Sequence, residues 1–437
     1  MVNDTTRLLG LEGLAVTKVV EGVQGPVVHL ETADKGARAC PGCGVAASRM
    51  KEWVTTCPRD LPVAGRGTEL RWRKRRWFCD EQACVRGTFT EQVDQVPAGA
   101  RLTARLRASA GAAVADGGRT IVQSARDHRI SWPIASAAFT AHGVGVLSAQ
   151  IPQVEHLGMD ETRRGRPKWV WNTLLGSWIV VADRWHVGFV DLADGQGLLG
   201  QVEGRTKASV VDWLDDRGTE WRNAVKVVAI DMCSVFKSAI REVLPHAITV
   251  ADHFHLLQLA NKTVTEVRRR LTLQVRGRRG RKGDREWELR NRLTRSAARM
   301  HADHLDPMVD ELEALGKKIG KPILTAWNAK EDLLDLLALA RTNPVRGVIS
   351  DRLTRFYVRC ADSGLPELER LASTVSTWWP QILAFLLTGV TNAGSEGTNR
   401  VIKTVARDAY GFRNPENQRL RTRCATTRKA RGYLNPA

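Results

Sequence analysis

Two aspartates at the ends of apolar runs are the residues of this sequence best placed to share chemistry. Asp160 closes the run in HLGMDET and Asp231 closes VKVVAIDMCS, so a strand would deliver each carboxylate to a sheet edge. Either one alone reads equally well as a turn or helix-capping residue; the pair in α/β order can face one ion. A third acid, Glu396, lies in TNAGSEGTNRVIKTVARDAYGFRN, which reads as a turn followed by a helix. On that helix Glu396, Asn399, Arg400 and Lys403 fall at i, i+3, i+4 and i+7 and project from one face. Glu396 is thereby placed to bind metal, and Asn399, Arg400 and Lys403 to approach a phosphate backbone. A merely solvated face is the alternative. Acids that hold two divalent ions about 4 Å apart can activate an attacking oxygen and stabilise a leaving one in phosphodiester transfer. Hard oxygen ligands favour Mg2+ or Mn2+.

Four of the eight cysteines form two close pairs, Cys40 and Cys43 in CPGC, Cys79 and Cys84 in CDEQAC. Two knuckles of thiolates suit one tetrahedral, structural Zn2+. Between them ELRWRKRRWF alternates basic and aromatic residues as a strand does, so the expected unit is a zinc ribbon, with Cys57 left over. Scattered remaining cysteines argue against a disulfide framework and for a reducing compartment.

Lys and Arg number 66 against 47 Asp and Glu, a net charge of +19 in 437 residues. Such an excess concentrates polyanions at the surface, and nucleic acid is the leading partner, ahead of anionic membrane. The sequence has neither an apolar run long enough to span a membrane nor a secretory leader pattern, so no membrane partner and a cytoplasmic, nucleoid-associated location are expected.

These residues need elements to position them. From Arg101 to about Gly143, alanine-rich stretches broken at Asp116-Gly-Gly and around His128 to Ser131 predict three short helices, a helix-turn-helix with Ser131 as N-cap of the third and Pro133 in its first turn. From Val154 the texture turns to strands, VEHLGMD, WIVVADRW and VGFVDLADG, then a helix, VKVVAID, another helix and AITVAD. Three early strands, a helix and a strand ending in an aspartate resemble the ribonuclease H arrangement. Asp252, His253 and His255 follow the last strand; Asp252 reads as support for the metal and the histidines as hydrogen-bonding residues outside catalysis. From about 262 to 380 the chain is helix-prone, with an arginine-rich loop in which Arg276, Arg278, Arg279, Arg281 and Lys282 suit phosphate contacts. Trp287 and Trp327 lie in this segment, where packing is the leading reading over stacking on an unpaired base.

Taken together, CPGC, CDEQAC, GMDET, AIDM, ADHFH, TNAGSEGTNRVIK and RDAYGFRN resemble the ISL-three family of insertion-sequence transposases along nearly the whole chain. The resemblance implies a multidomain protein: a zinc ribbon and helix-turn-helix followed by an α/β ribonuclease H-like core interrupted by an all-helical insertion. Expected boundaries are 1–95 for the ribbon, 96–148 for the helix-turn-helix, 149–265 for the first part of the core, 266–380 for the insertion, and 381–437 for the closing helix and a basic tail. It carries Asp160, Asp231 and Glu396 over as catalytic residues, and makes Lys403 similar to the basic residue that follows the glutamate in many transposases. The implied activity is DNA transposition: water frees a 3′ hydroxyl at the element end, and that hydroxyl attacks target DNA at the same site. Its partners would be double-stranded DNA, as terminal inverted repeats and target, with a homodimer or higher oligomer on the DNA. A DNA-binding regulator without catalysis and a nuclease without strand transfer are the competing functions.

Overall fold

The structure is a computed structural model that describes residues 4–147, 151–182, 184–193 and 195–433. The chain folds into two compact units, Met1–Gln150 with Lys403–Ala437, and Ile151–Ile402. The expected boundary at 148/149 lies outside the described residues.

The first unit begins with a short helix α1 (Asp4–Leu9) and the strands β1 (Leu14–Gly22), β2 (Gly25–Thr32), β3 (Met50–Thr56), β4 (Arg59–Val63), β5 (Arg66–Phe78) and β6 (Thr88–Thr90). β5 is the spine: β1, β2, β5 and β3 lie in that order, and β4 and β6 also pair with β5. Its alternation explains this, since Leu70 and Trp72 turn inward onto Leu14, Val16 and Leu30 while Arg71 and Arg73 face out. Arg73 then lies over the Trp53 ring, 4.1 Å from its centroid.

Three helices follow as expected, α2 (Ala104–Ala115), α3 (Ile121–Asp127) and α4 (Trp132–Val146). Each start has a local cause. Thr103 caps α2 by accepting from Leu106 N, Thr120 and Gln123 form a capping box on α3, and Ser131 precedes a first turn containing proline in α4. α2 and α4 cross closely enough that a Cβ on Gly111 would stand 2.5 Å from Ala138 O.

The second unit is built on β7 (His156–Arg163), β8 (Lys168–Asn172), β9 (Ser177–Ala182), β10 (Trp185–Asp191), β11 (Leu198–Glu203), helices α5 (Lys207–Asp215) and α6 (Thr219–Ala224), β12 (Val227–Ile230), α7 (Ser234–Val243) and β13 (Ile248–Ala251). The sheet order is β11-β10-β7-β12-β13. β10 runs antiparallel to β7 and β11, and β12 runs parallel to β7 and β13. This is the ribonuclease H-like order, with the first core strand in the middle. One expectation needs correction. WIVVADRW is not itself a core strand: its β9 portion pairs with β8 as a separate hairpin, its last residue, Trp185, opens β10, and the third core strand is LLGQVE. Trp169, Trp171 and Trp178 on that hairpin are exposed. β-propensity marks a strand but not the sheet it enters.

Helices α8 (His253–Arg276), α9 (Arg285–Glu288), α10 (Ala302–Ala314), α11 (Lys321–Leu337), α12 (Arg346–Asp362), α13 (Pro366–Thr377) and α14 (Trp379–Thr388) follow β13. Their apolar faces share one continuous core with the sheet, in which Leu333, Leu336 and Leu337 of the periodic leucine segment are buried. Trp327 belongs to that core, and Trp287 is covered by the Arg290 guanidinium at 3.5 Å.

The last two helices are α15 (Ala393–Asp408) and α16 (Pro415–Thr426). Residues from Lys403 onward group with the first unit. There, Cys424 of α16 packs with Val114, Ala115, Phe139 and Leu147, and Arg428 Nε donates to Ala115 O at 3.1 Å. The C-terminal segment therefore completes the hydrophobic core of the helix-turn-helix.

Candidate active site

The parallel register of β7 and β12 pairs Met159 with Ile230. Asp160 comes next within β7, three residues before the strand ends, and Asp231 is the first residue after β12, so the two carboxylates lie near each other at the C-terminal end of β12, close enough for the charge of Asp231 to act on Asp160. Alternation along β7 turns Gly158, Asp160 and Thr162 to the same face, and α15 closes over it. The approach requires glycine at 158, where a Cβ would stand 2.8 Å from Asn392 Oδ1 and closer still to Ser395 Oγ.

Two asparagines tie α15 to the aspartates. Asn392, fully buried, donates to Met159 O at 3.1 Å and to Asp231 Oδ1 at 3.4 Å. Asn399 Nδ2 donates to Asp160 Oδ2 at 2.5 Å, and Asn399 Oδ1 accepts from Thr162 Oγ1. Glu396 lies four residues after the first and three before the second, on the helix face they define. It is half-buried in the first turn of α15.

Asn399 thus departs from its expected role. It is 8% exposed, with both ends of its amide engaged by Asp160 and Thr162 rather than presented to solvent. Arg400 and Lys403 are exposed, as a phosphate-contacting role requires.

The segment after β13 contributes more than expected. His255 Nε2 donates to Asp231 Oδ2 at 3.1 Å, and this bond raises the imidazole above its usual range. Asp252, 2% exposed, presents a carboxylate oxygen, Oδ2, with no hydrogen-bond partner among the described residues. Ligand atoms of Asp231, Asp252 and His255 lie within 4.8 Å of one another, and neither Asp160 nor Glu396 is part of that cluster. His253 instead stacks on Phe385 at 4.8 Å. The Asp-x-x-His spacing at the start of α8 was the available signal, because an N-cap residue and the third helical residue project together. Nothing local marked Asn392.

Burial, and then the charge of Asp231, push the Asp160 carboxyl up to about 7. Two adjacent, poorly solvated carboxylates and a partnerless buried carboxylate oxygen fit a divalent cation, which would relieve both repulsion and desolvation.

In the ribbon, Sγ atoms of Cys40, Cys43, Cys79 and Cys84 all lie within 4.8 Å of one another. Cys40 and Cys84 are 3.8 Å apart and Cys43 and Cys79 3.6 Å. Zinc–sulfur bonds of about 2.3 Å give tetrahedral edges of about 3.8 Å, so the four thiolates fit one zinc. Cys57 is exposed and outside the cluster.

The arginine-rich loop divides in two. Arg276 forms a two-pronged pair with Glu286 at 2.6 and 2.9 Å, and Arg278 another with Asp284 at 2.7 and 2.9 Å. The Arg278 guanidinium holds the Asp284 carboxyl far below its usual range. These two arginines hold the loop against buried acids a few residues downstream, while about a third of each side chain stays exposed. Arg279, Arg281 and Lys282 point outward.

Among the described residues no helix is long and apolar enough to cross a membrane. Residues 157–422 match the family model described as "Transposase". Residues 36–84 match the zinc-finger of transposase IS204/IS1001/IS1096/IS1165, and residues 91–143 the helix-turn-helix domain of transposase family ISL3. The chain is 24% identical over 398 residues to the transposase for insertion sequence element IS1001 of Bordetella parapertussis, covering 90% of this chain and 89% of that one. A solved structure, the Drosophila P element transposase strand transfer complex, is similar with a TM-score of 0.38 and 9% identity, over 75% of this chain and 93% of that one.

Proposed function

For a chain that belongs to the transposase family ISL3, we propose cleavage at the ends of its own mobile element and joining of those ends to target DNA, with Asp160, Asp231 and Glu396 as the catalytic acids. The observation that carries this reading is the meeting of Asp160, on β7, and Asp231, just past the adjacent parallel strand β12, under the helix that bears Glu396. The three carboxylates would hold two Mg2+ or Mn2+ ions. When bound, such ions supply the Lewis acidity that activates the attacking oxygen and stabilises the leaving one. The protein's own part is geometry. Asn399 and the Glu161 backbone N–H, at 2.5 and 2.6 Å, fix the two oxygens of Asp160, while Asn392 and His255 fix Asp231. Asp252 adds a carboxylate behind Asp231.

Recognition of terminal inverted repeats is assigned to the zinc ribbon and helix-turn-helix, and Arg400, Lys403, Arg279, Arg281 and Lys282 supply sequence-independent phosphate contacts. Zinc on Cys40, Cys43, Cys79 and Cys84 is structural. A dimer or higher oligomer would hold two ends together.

The test is incubation of the full chain with duplexes carrying the element ends and magnesium. Nicked ends bearing a 3′ hydroxyl and joined products are expected. Asp160→Asn, Asp231→Asn and Glu396→Gln should each abolish both while retaining end binding; a folded variant that cuts at the parent rate would remove that residue from the triad. Cleavage without joining would indicate a nuclease.

A further inference from the structure

We propose that the turn between α15 and α16 belongs to the DNA-reading surface of the helix-turn-helix, and that Tyr410 and Arg413 contact the duplex of the element end directly. The inference rests on the reading above that the helix-turn-helix binds those ends.

A cleft of about 1070 Å³ runs between the first turns of α3 and α4 and the segment from the end of α15 to the start of α16. In a helix-turn-helix the start of the third helix meets base edges, and the second helix lies across the backbone. Trp132, the first residue of α4, and Arg126 of α3 both line the cleft. It therefore opens where DNA is expected to lie.

Its net charge suits a polyanion. Arg126, Arg407, Arg413 and Arg421 line it against the single carboxylate of Asp408, and the first three are exposed and in no ion pair among the described residues. The arginine-rich loop differs, since there Arg276 and Arg278 are neutralised by Glu286 and Asp284. Three unneutralised guanidiniums beside an exposed tryptophan match a phosphate backbone with bases next to it.

Tyr410 is the independent observation. α15 ends with Gly411 N donating to Ala406 O at 2.8 Å and Tyr410 N donating to Arg407 O at 2.9 Å. These paired bonds close a helix through one residue in the left-handed region, which is usually glycine. Here that residue is Tyr410, at φ +52°, and its side chain is fully exposed. A tyrosine in this position strains the backbone and gains no burial in exchange. Residues held in such conformations concentrate at ligand sites, and a ring displayed beside three guanidiniums is placed to pack on a sugar or base while Arg413 pairs with a phosphate oxygen.

Because glycine relieves the strain and removes the ring, Tyr410→Gly moves stability and function in opposite directions. In the full-length chain its Tm should equal or exceed the parent's, while affinity for a terminal-repeat duplex in gel shift falls about tenfold. Arg413→Ala should lower the slope of log affinity against log salt by about one. Arg126→Ala on α3 reports on the helix-turn-helix itself. If Arg126→Ala weakens binding while Tyr410→Gly and Arg413→Ala bind like the parent with an unchanged salt slope, the inference is overturned and the helix-turn-helix reading survives. If none of the three changes binding, both fail. A lowered Tm for Tyr410→Gly in step with lost binding would assign the ring to structure and also overturn the proposal.

Discussion

Asn399 on α15 donates its side-chain amide to Asp160 Oδ2 on β7 at 2.5 Å, joining residues 239 positions apart. Because Thr162 Oγ1 holds the other end of the same amide, the late helix sets the direction in which Asp160 presents its carboxylate. Loss of such an outer partner typically costs about 10- to 100-fold in metal affinity or activity. Asn399→Ala is therefore expected to lower cleavage by that range with circular dichroism and end binding unchanged. Asn399→Asp, which sets a second negative charge against Asp160, should fall further. Parent-like cleavage by Asn399→Ala would refute the orienting role.

Gly158 sits beneath α15, where a Cβ meets Ser395 Oγ and stands 2.8 Å from Asn392 Oδ1. Forcing a methyl into such a contact costs about 1–3 kcal/mol. Gly158→Ala should lose that much in urea unfolding and most of its cleavage, because α15 must lift from the aspartates. Adding Ser395→Ala should recover part of the stability. A fully stable, fully active Gly158→Ala would contradict the close approach.

The Asp160 carboxyl is raised to about 7 by burial and by Asp231, whereas in the unfolded chain it releases its proton near 3.8. Between those values the folded state keeps a proton that the unfolded state has lost. Metal-free protein is therefore stabilised by this group below pH 4 and progressively loses that contribution as pH rises to about 7. Asp160→Asn cannot titrate, so in EDTA its stability relative to the parent should rise by on the order of 4 kcal/mol from pH 4 to pH 8. Equal pH dependence of the two urea midpoints would rule out the raised carboxyl.

The four-cysteine cluster should carry about one zinc per chain on elemental analysis, and Cys40→Ser with Cys43→Ser should abolish it. Binding free energy at such sites is folding free energy, so the ribbon strands around β5 should lose protection from hydrogen exchange while β7 and β12 keep theirs. A zinc-free ribbon with undiminished protection would sink the assignment.

In the arginine-rich loop, Arg279→Ala, Arg281→Ala and Lys282→Ala combined should leave Tm unchanged and flatten the salt dependence of DNA binding by up to about three units of log–log slope. Arg276→Ala or Arg278→Ala should instead lower Tm, since each strands a buried acid, Glu286 or Asp284. The reverse pattern would exchange the two groups' roles.

Much of this protein is written in short-range patterns. Thiolate pairs three and five residues apart can close around one ion only as knuckles, and the helix starts at Thr120, with its capping box, and after Ser131, with Pro133 in the first turn, have local causes. An aspartate after an apolar run marked the end of β12 at Asp231, whereas β7 continues through Asp160 to Arg163, because its pairing with β10 extends past the apolar run. What those two carboxylates touch was not legible. Asn392, Asn399 and His255 reach the aspartates only because α15 and α8 pack against the ends of β7 and β12, contacts that span up to 239 residues. The same limit applies to Arg276 and Arg278, which look like free charge until the fold brings Glu286 and Asp284 beneath them, and to β9, which left the core sheet for β8. Periodicity and spacing are properties of one segment; partnership depends on which faces meet, and burying one face against another is a decision of the whole core.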